Sequence, residues 1–534
     1  MLKNSIKYIL VLLAISIIGC AKRGSISGGL KDTLAPKLIN SLPKNFETNF
    51  KGKEIKLFFN EYVKLKNVNK QLIISPPMKR QPEILPYNAS KFITIKIKDT
   101  LQDNTTYSLN FGNSIEDNNE GNAMQQFKYV FSTGSYIDSL QLNVKVKDAI
   151  DKKVDNFVSI MLYEVNEKYS DSVIYKQSPR YLTNTLDSLK IVKLENLKAG
   201  KYQLIALKDV NGNNKYDPKT DKIGFQKDYI TIPNDTVYEV ELFKEENLAF
   251  KAVNLSQTSG SKLVLGYEGN PKDLKISIKK GTENIDYKIS KTEKKDSLNI
   301  WFKANKADSI VVNVEKDKFK KQFKLKIKEQ RKDSLSFNPS ERGDINFRDT
   351  IAINSETPLL KYDVSKMKMI RKDSTDVKFT LEYDEYKQKL KINFDKEPLE
   401  KYNFKAFPGA ITDFYGRQND TLDYNFSTRN TSDFGNLRVK LENVKRFPVL
   451  VELTDKDGKV LATAYTEKET LLLFDLVEPN LFTLRLIYDD NKNKVWDAGN
   501  FLEKRQSEEV IYFPVSVDVR TNWDVEQSFD GGKK

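Results

Sequence analysis

Two short runs of this 534-residue chain carry side-chain oxygens at regular spacing. Asp209, Asn211, Asn213 and Asp217 fall at offsets 0, 2, 4 and 8, and Asp489, Asn491, Asn493 and Asp497 repeat those offsets 280 residues later. Alternate residues of a tight turn can aim their oxygens at one centre. Calcium takes about six to eight hard oxygen ligands and accepts amides beside carboxylates. The sixth position holds Asn214 or Lys494 where a calcium loop has glycine, and the twelfth holds Thr220 or Asn500 where it has a bidentate glutamate. With two carboxylates per loop, weak affinity is expected unless Asp221 or Glu503 folds back to contribute. Asp490 is expected to face outward. The same residues could close an Asx-rich hairpin by side-chain to backbone hydrogen bonds with no metal at all. Spacing leaves both readings open.

Cys20 is the one cysteine, so no internal disulfide can form. It stands behind Lys3, Lys7 and the apolar run Tyr8 to Ile18, and a basic start followed by a short apolar core is the pattern of a secretory leader. The run is too short to span a bilayer comfortably. Ile17-Ile18-Gly19-Cys20 resembles the bacterial lipobox, which implies that Cys20 carries diacylglycerol and an N-acyl chain and becomes the first mature residue. Each buried methylene of such chains contributes about 0.8 kcal/mol to membrane attachment. Ala21-Lys22-Arg23 lacks the aspartate that would resemble an inner-membrane retention signal, so the expected location is the outer membrane, with periplasmic or surface facing open.

Catalytic sets are scarce. The chain has no histidine, which removes the commonest general base, the Ser/His and Cys/His nucleophile pairs and most catalytic zinc sites. No enzyme is expected. The net charge of +14 favours contact with anionic lipid, lipopolysaccharide or acidic glycan, whereas no nucleic-acid-binding motif is recognisable. The densest basic stretch, Lys316 to Lys332, holds nine Lys or Arg and alternates Lys324, Lys326 and Lys328 with Phe323, Leu325 and Ile327. That alternation fits an edge strand guarded by outward lysines, or an anion-binding patch. Of the three tryptophans, Trp301 sits in an alternating run that reads as core, Trp496 replaces Tyr216 within the second loop and reads as packing beneath it, and Trp523 is unassigned.

The elements that must position these residues read as strands. Helical periodicity is almost absent, and short alternating runs such as Phe92 to Ile97 and Lys389 to Phe394 recur between Asn, Asp, Gly and Pro clusters. The chain is expected to be all-β, tandem Ig-like sandwiches behind a leader peptide. Two units repeat. One ends in Phe131-Ser132-Thr133 after Ile115-Glu116-Asp117 and Gly121, echoed by Phe426-Ser427-Thr428 after Ile411-Thr412-Asp413 and Gly416. The other runs from Tyr202 to Leu207 into the first Asp-x-Asn-x-Asn loop, echoed by Phe482 to Ile487 and the second loop.

With the Phe59-Asn60-Glu61 strand end and the Asn104-Thr105-Thr106-Tyr107 strand entry, the first unit resembles the bacterial Ig-like domain of the S-layer SbsA type. The whole chain resembles the Ig-like-domain lipoproteins abundant in Bacteroidetes. The expected layout is a leader at 1–19, a lipidated cysteine and tether at 20–34, an Ig-like domain at 35–134 and a loop-bearing sandwich at 138–246. A middle β-domain at 247–340, a second Ig-like domain at 345–430 and a second loop-bearing sandwich at 434–528 complete it. The resemblance implies a membrane-tethered row of modules that meets an envelope protein partner. A surface glycan-binding lipoprotein is the alternative, and an accessory subunit of an envelope enzyme or secretion complex comes third.

Overall fold

The computed structural model describes residues 31–186, 191–246, 249–294, 296–303 and 309–532. The expected leader at 1–19, Cys20 and most of the expected tether lie outside the described residues. The chain is all-β, with 50% of residues in strands and 3% in helices. Among the described residues no helix is long and apolar enough to cross a membrane.

The strands sort into five successive two-layer units. Alternation explains their cores: in the strand Glu54–Leu65, Ile55, Leu57 and Phe59 are buried while Glu54, Lys56 and Asn60 face solvent. The first unit packs this strand, with Leu38–Leu42, Ser90–Lys96 and Glu83–Leu85, against a sheet of Ile73–Ser75, Thr106–Asn110 and Lys128–Ser132. The fourth unit follows the same plan around Ile351–Ser355 and Lys389–Phe394 in one layer and Lys401–Ala406 and Leu422–Thr428 in the other.

Their shared sequence signature has a physical basis. The Thr133 hydroxyl at the end of the closing strand donates to the Gln102 carbonyl and accepts the Thr105 N–H, and Thr428 does the same for Glu397 and Glu400. The Tyr107 hydroxyl accepts the Gln102 N–H at 2.8 Å, and Tyr402 accepts that of Glu397 at 2.7 Å. Asp117 is buried and gathers the N–H groups of Asn119, Glu120, Gly121 and Asn122. Asp413, also buried, accepts the N–H groups of Tyr415 and Arg417 and the Arg417 guanidinium. Gly121 and Gly416 close these turns at φ of 79° and 82°, a backbone region that side chains disfavour.

The second and fifth units also share one topology. In each, a central strand, Leu140–Asp148 or Gly435–Glu442, pairs antiparallel on one side and parallel with the unit's last strand on the other. The third unit is a sandwich of two four-stranded sheets, 251–326, in which Phe319–Lys326 forms an outer edge with Lys320, Lys324 and Lys326 exposed. Trp301 is core there, and its indole N–H donates to the Ser290 hydroxyl at 2.8 Å.

The units do not run out as a simple row. The fourth and fifth units meet through Phe347, edge-on to the buried Phe434 with centroids 5.5 Å apart, and other consecutive units through ion pairs such as Lys219 to Glu268 and Lys288 to Glu385, each 2.8 Å and largely exposed. Such pairs contribute about 0–1 kcal/mol each. The second and fifth units, far apart in sequence, share an apolar core instead: Ala149, Met161, Tyr163, Ile205, Phe225 and Phe243 from one side meet Ala498 and Phe501 from the other. A fully buried phenylalanine alone contributes roughly 1.5–3 kcal/mol, so this joint outweighs such ion pairs and folds the row back on itself.

Candidate functional site

Both Asp-x-Asn-x-Asn loops lie at this joint. The first leaves the strand Gly200–Lys208 and the second leaves Asn480–Tyr488, the corresponding strand of the repeat. Tyr216 of the first loop is buried and Trp496 of the second half-buried in the common cluster, where the Trp496 indole N–H donates to the Glu508 carbonyl at 3.1 Å. The expectation that Trp496 packs under its loop agrees with this placement. Trp523 is exposed beside Arg520, so the tryptophans form no shared platform.

Each loop is organised by its first aspartate. Asp209 accepts the N–H groups of Gly212 at 2.7 Å and Asn214 at 2.6 Å, and Asp489 accepts those of Asn493 at 3.1 Å and Lys494 at 2.8 Å. Asn214 and Lys494 take φ of 55° and 65°, the left-handed conformation for which a calcium loop uses glycine at this place. A second acid closes each loop from behind. Asp221, fully buried, accepts the N–H groups of Val210 and Asp217, which is the fold-back the sequence suggested. In the second loop Glu503 does not fold back: it is exposed and pairs with Arg505 at 3.3 Å. Glu508 takes the role, accepting the N–H groups of Asp490 at 2.8 Å and Asp497 at 3.0 Å. Burial, with the charges of Asp497 and Asp489 added, pushes the Glu508 carboxyl above its usual range. Asp490 faces outward onto the Arg446 guanidinium at 2.6 Å.

The loops differ in the oxygens they leave for a cation. In the first, Asn213 accepts the Lys215 N–H and Asp217 Oδ1 accepts that of Lys219, while among the described residues nothing donates to Asp217 Oδ2 or Asn211 Oδ1. In the second, the amide groups of Asn491 and Asn493 both donate to Asp497 Oδ2, at 2.7 and 2.6 Å, and the Asn491 and Asn493 oxygens accept backbone N–H groups. The second loop is thus a closed hydrogen-bonded turn, and the first retains donor oxygens. Among the described residues no three acidic side chains are gathered as a metal site.

The joint itself was missed by sequence reasoning. Four residues stand between Asp217 and the strand Lys222–Phe225, but twelve between Asp497 and Val510–Tyr512. The longer connection is the inserted element. Phe501 is fully buried edge-on to Phe225, with centroids 5.2 Å apart, and its N–H donates to Glu245 at 2.6 Å. Lys504 reaches Asp171 at 2.7 Å and Gln203 at 3.3 Å. Gly499 admits no side chain, since a Cβ there would lie 2.5 Å from the Phe243 ring. Arg485, paired with Glu452 at 2.7 Å and almost buried, donates to the Ile150 carbonyl across the joint. Beside it a cavity of about 710 Å³ opens between Asp148, Asp155, Leu186, Lys456 and Tyr512. Lys222 meets Asp148 at 2.7 Å and Asp155 at 3.0 Å there, so its acids are already paired within the protein.

Comparison with known proteins agrees with the first unit. A model of a bacterial Ig-like domain matches residues 32–133. No curated protein matches the chain. Among solved structures, domains 1–6 of the surface-layer protein SbsC align at 10% identity, covering 91% of this chain and 67% of that one, with a TM-score of 0.16. The major pilin subunit BcpA of Bacillus cereus aligns at 11% identity over 73% and 99%, with a TM-score of 0.13. Bacteroides ovatus SGBP-B, solved with a mixed-linkage heptasaccharide, aligns at 11% identity over 71% and 91%, with a TM-score of 0.17. TM-scores this low carry no argument about what the present chain binds.

Proposed function

We propose that this chain is a non-enzymatic envelope lipoprotein of the kind found in Bacteroidetes. Diacylglycerol and an N-acyl chain on Cys20 hold it to the outer membrane, and its Ig-like units form a scaffold for an envelope protein partner. The observation that carries the scaffold reading is the apolar core shared by the second and fifth units, which joins elements far apart in sequence. The lipid reading rests on the lipobox-like segment and the absence of any other cysteine. The mature N-terminal peptide is expected to carry the lipid mass, and Cys20→Ser to move the protein from the membrane pellet to the soluble fraction. An unmodified N-terminus with Met1 intact would overturn the reading. Protease shaving of intact cells distinguishes the facings, because a periplasmic protein survives it, and affinity purification of the lipidated protein identifies the partner.

Calcium belongs to the first loop in this proposal. Asp209, Asn211, Asn213 and Asp217, with Asp221 behind them, would hold it, and its role is to brace the turn. Asp489, Asn491, Asn493 and Asp497 would have to give up the two hydrogen bonds that the Asn491 and Asn493 amides donate to Asp497 to do the same. Millimolar Ca²⁺ should therefore raise the melting temperature, and Asp209→Ala should abolish the shift while Asp489→Ala preserves it. No shift in the unsubstituted protein would make both loops metal-free turns.

A further inference from the structure

The third unit presents a sheet face that none of the above uses. Its strands Lys275–Lys280, Ser309–Lys316 and Phe319–Lys326 are paired in that order, and their register fixes which side chains lie abreast. One row sets Lys279, Val311 and Lys324 side by side, the next Ser277, Asn313 and Gln322, and the next Lys275, Glu315 and Lys320. Lys326 extends the face along the edge strand. The opposite face supplies the core through Ile276, Ile278, Ile310, Val312 and Val314.

Two features set this face apart from an ordinary solvated one. Lys275, Lys279, Lys320, Lys324 and Lys326 are exposed, and Glu315 is the acid among them in these rows, paired with Lys320 at 3.3 Å. Among the described residues Lys275, Lys279, Lys324 and Lys326 have no ion-pair partner. Between the lysine rows runs a ladder of neutral hydrogen-bonding groups, with the Gln322 amide donating to Asn313 at 2.9 Å and the Asn313 amide to Ser277 at 3.1 Å. At about 4.8 Å between strands and 3.3 Å per residue, Lys279 and Lys324 stand roughly 10 Å apart, and the outer lysine rows about 13 Å apart. Guarding an edge strand requires charge only on that strand. Lys275 and Lys279 lie at the other margin of the face, where the outermost strand Glu283–Asn284 covers only Lys279 and Lys280, so lysines line both sides of the face and not one edge alone.

We infer that this face of the third unit binds an acidic polysaccharide, its lysines meeting carboxylate or sulfate groups and its Ser277, Asn313 and Gln322 ladder meeting sugar hydroxyls. Charge complementarity selects an anionic chain, and the amide ladder selects a partner rich in hydroxyls. The paired rows contain no aromatic ring on which a base could stack, which disfavours single-stranded nucleic acid. Val311 is the one large apolar side chain in those rows, too little to enter a bilayer. The inference does not depend on Cys20 lipidation and extends the reading from a protein partner to a second, glycan one.

The test uses the full chain purified without its leader and polygalacturonate oligomers as probe, with neutral dextran and a single-stranded oligonucleotide of matched charge beside it. Polygalacturonate should bind with an affinity that falls as salt rises, and dextran should not bind. The Lys279→Gln, Lys324→Gln double variant should lose at least tenfold in affinity with an unchanged melting temperature, and Asn313→Leu should weaken binding without altering the salt slope. Lys440→Gln on the fifth unit, outside the face, should leave binding intact. Absent polygalacturonate binding, binding unaffected by the double variant, or an oligonucleotide bound as tightly would each overturn the inference.

Discussion

Phe501→Asp should open the joint between the second and fifth units while leaving both sandwiches folded. Phe501 is fully buried against Phe225, and the Lys504 ammonium lies 4.3 Å from its ring centre. Truncating a buried phenylalanine costs about 3–5 kcal/mol, and although the Lys504 ammonium stands beside the new carboxylate, pairing with it does not replace the apolar contact with Phe225. The unit cores sit elsewhere, around Leu142, Val144 and Leu204 in one case and Val439, Leu484 and Leu486 in the other. The loss therefore falls on association of the units. Small-angle scattering should show a larger radius of gyration, and protease should cut between residues 498 and 506, which the joint now shields. Gly499→Val should act in the same direction, because its side chain would meet the Phe243 ring and the Arg505 carbonyl. Leu502, which is exposed, provides the control: Leu502→Asp should change neither measurement. Unchanged scattering in Phe501→Asp would mean that the contacts between consecutive units, and not this core, hold its shape.

The joint explains where sequence reading reached and where it stopped. Period-two alternation is a local signal, and it marked Glu54–Leu65 and Lys389–Phe394 as strands because each buries one face within its own unit. The repeat of Ile-x-Asp and Phe-Ser-Thr was legible for a related reason. Asp117 and Thr133 serve hydrogen bonds inside their unit, so the same bonds demand the same residue types in the fourth. Asp221 was foreseen as a contributor because it lies within one loop length of Asp209. Glu508 was not, since the inserted connection places it beyond any fixed spacing from Asp489. Contacts between separate units leave no periodicity at all. Their one trace was an apolar Phe501 within a polar connection that is longer than its counterpart. A row of modules was the natural expectation from consecutive domains, and only the three-dimensional meeting of residues near 225 and near 501 corrects it.

Asp117→Ala should destabilise the first unit by about 3 kcal/mol, the cost of removing a buried charged acceptor that serves four backbone N–H groups. The carboxylate takes three N–H groups on one oxygen, at 2.6 to 3.2 Å, and a fourth on the other at 2.7 Å, so no neutral residue of similar size replaces it. Asparagine keeps one acceptor oxygen and brings two unwanted donors, and it should recover less than half of the loss. Burial works to raise the Asp117 carboxyl, but the N–H groups of Asn122, Glu120, Gly121 and Asn119 together hold it below the usual range. The sign of the pH dependence follows. An unfolded aspartate titrates near about 3.9, so the contribution of Asp117 is fully present above that value and disappears as pH falls through the lower folded one. Hydrogen exchange read by mass spectrometry on the full chain isolates the effect. Peptides covering 106–132 should open more readily in Asp117→Ala at neutral pH, while peptides covering 435–488 should not change. On acidification the unsubstituted protein should approach the variant, because protonating Asp117 removes what the substitution removes. Equal protection of the two at neutral pH would show that the turn is held by its backbone and that Asp117 only occupies the space.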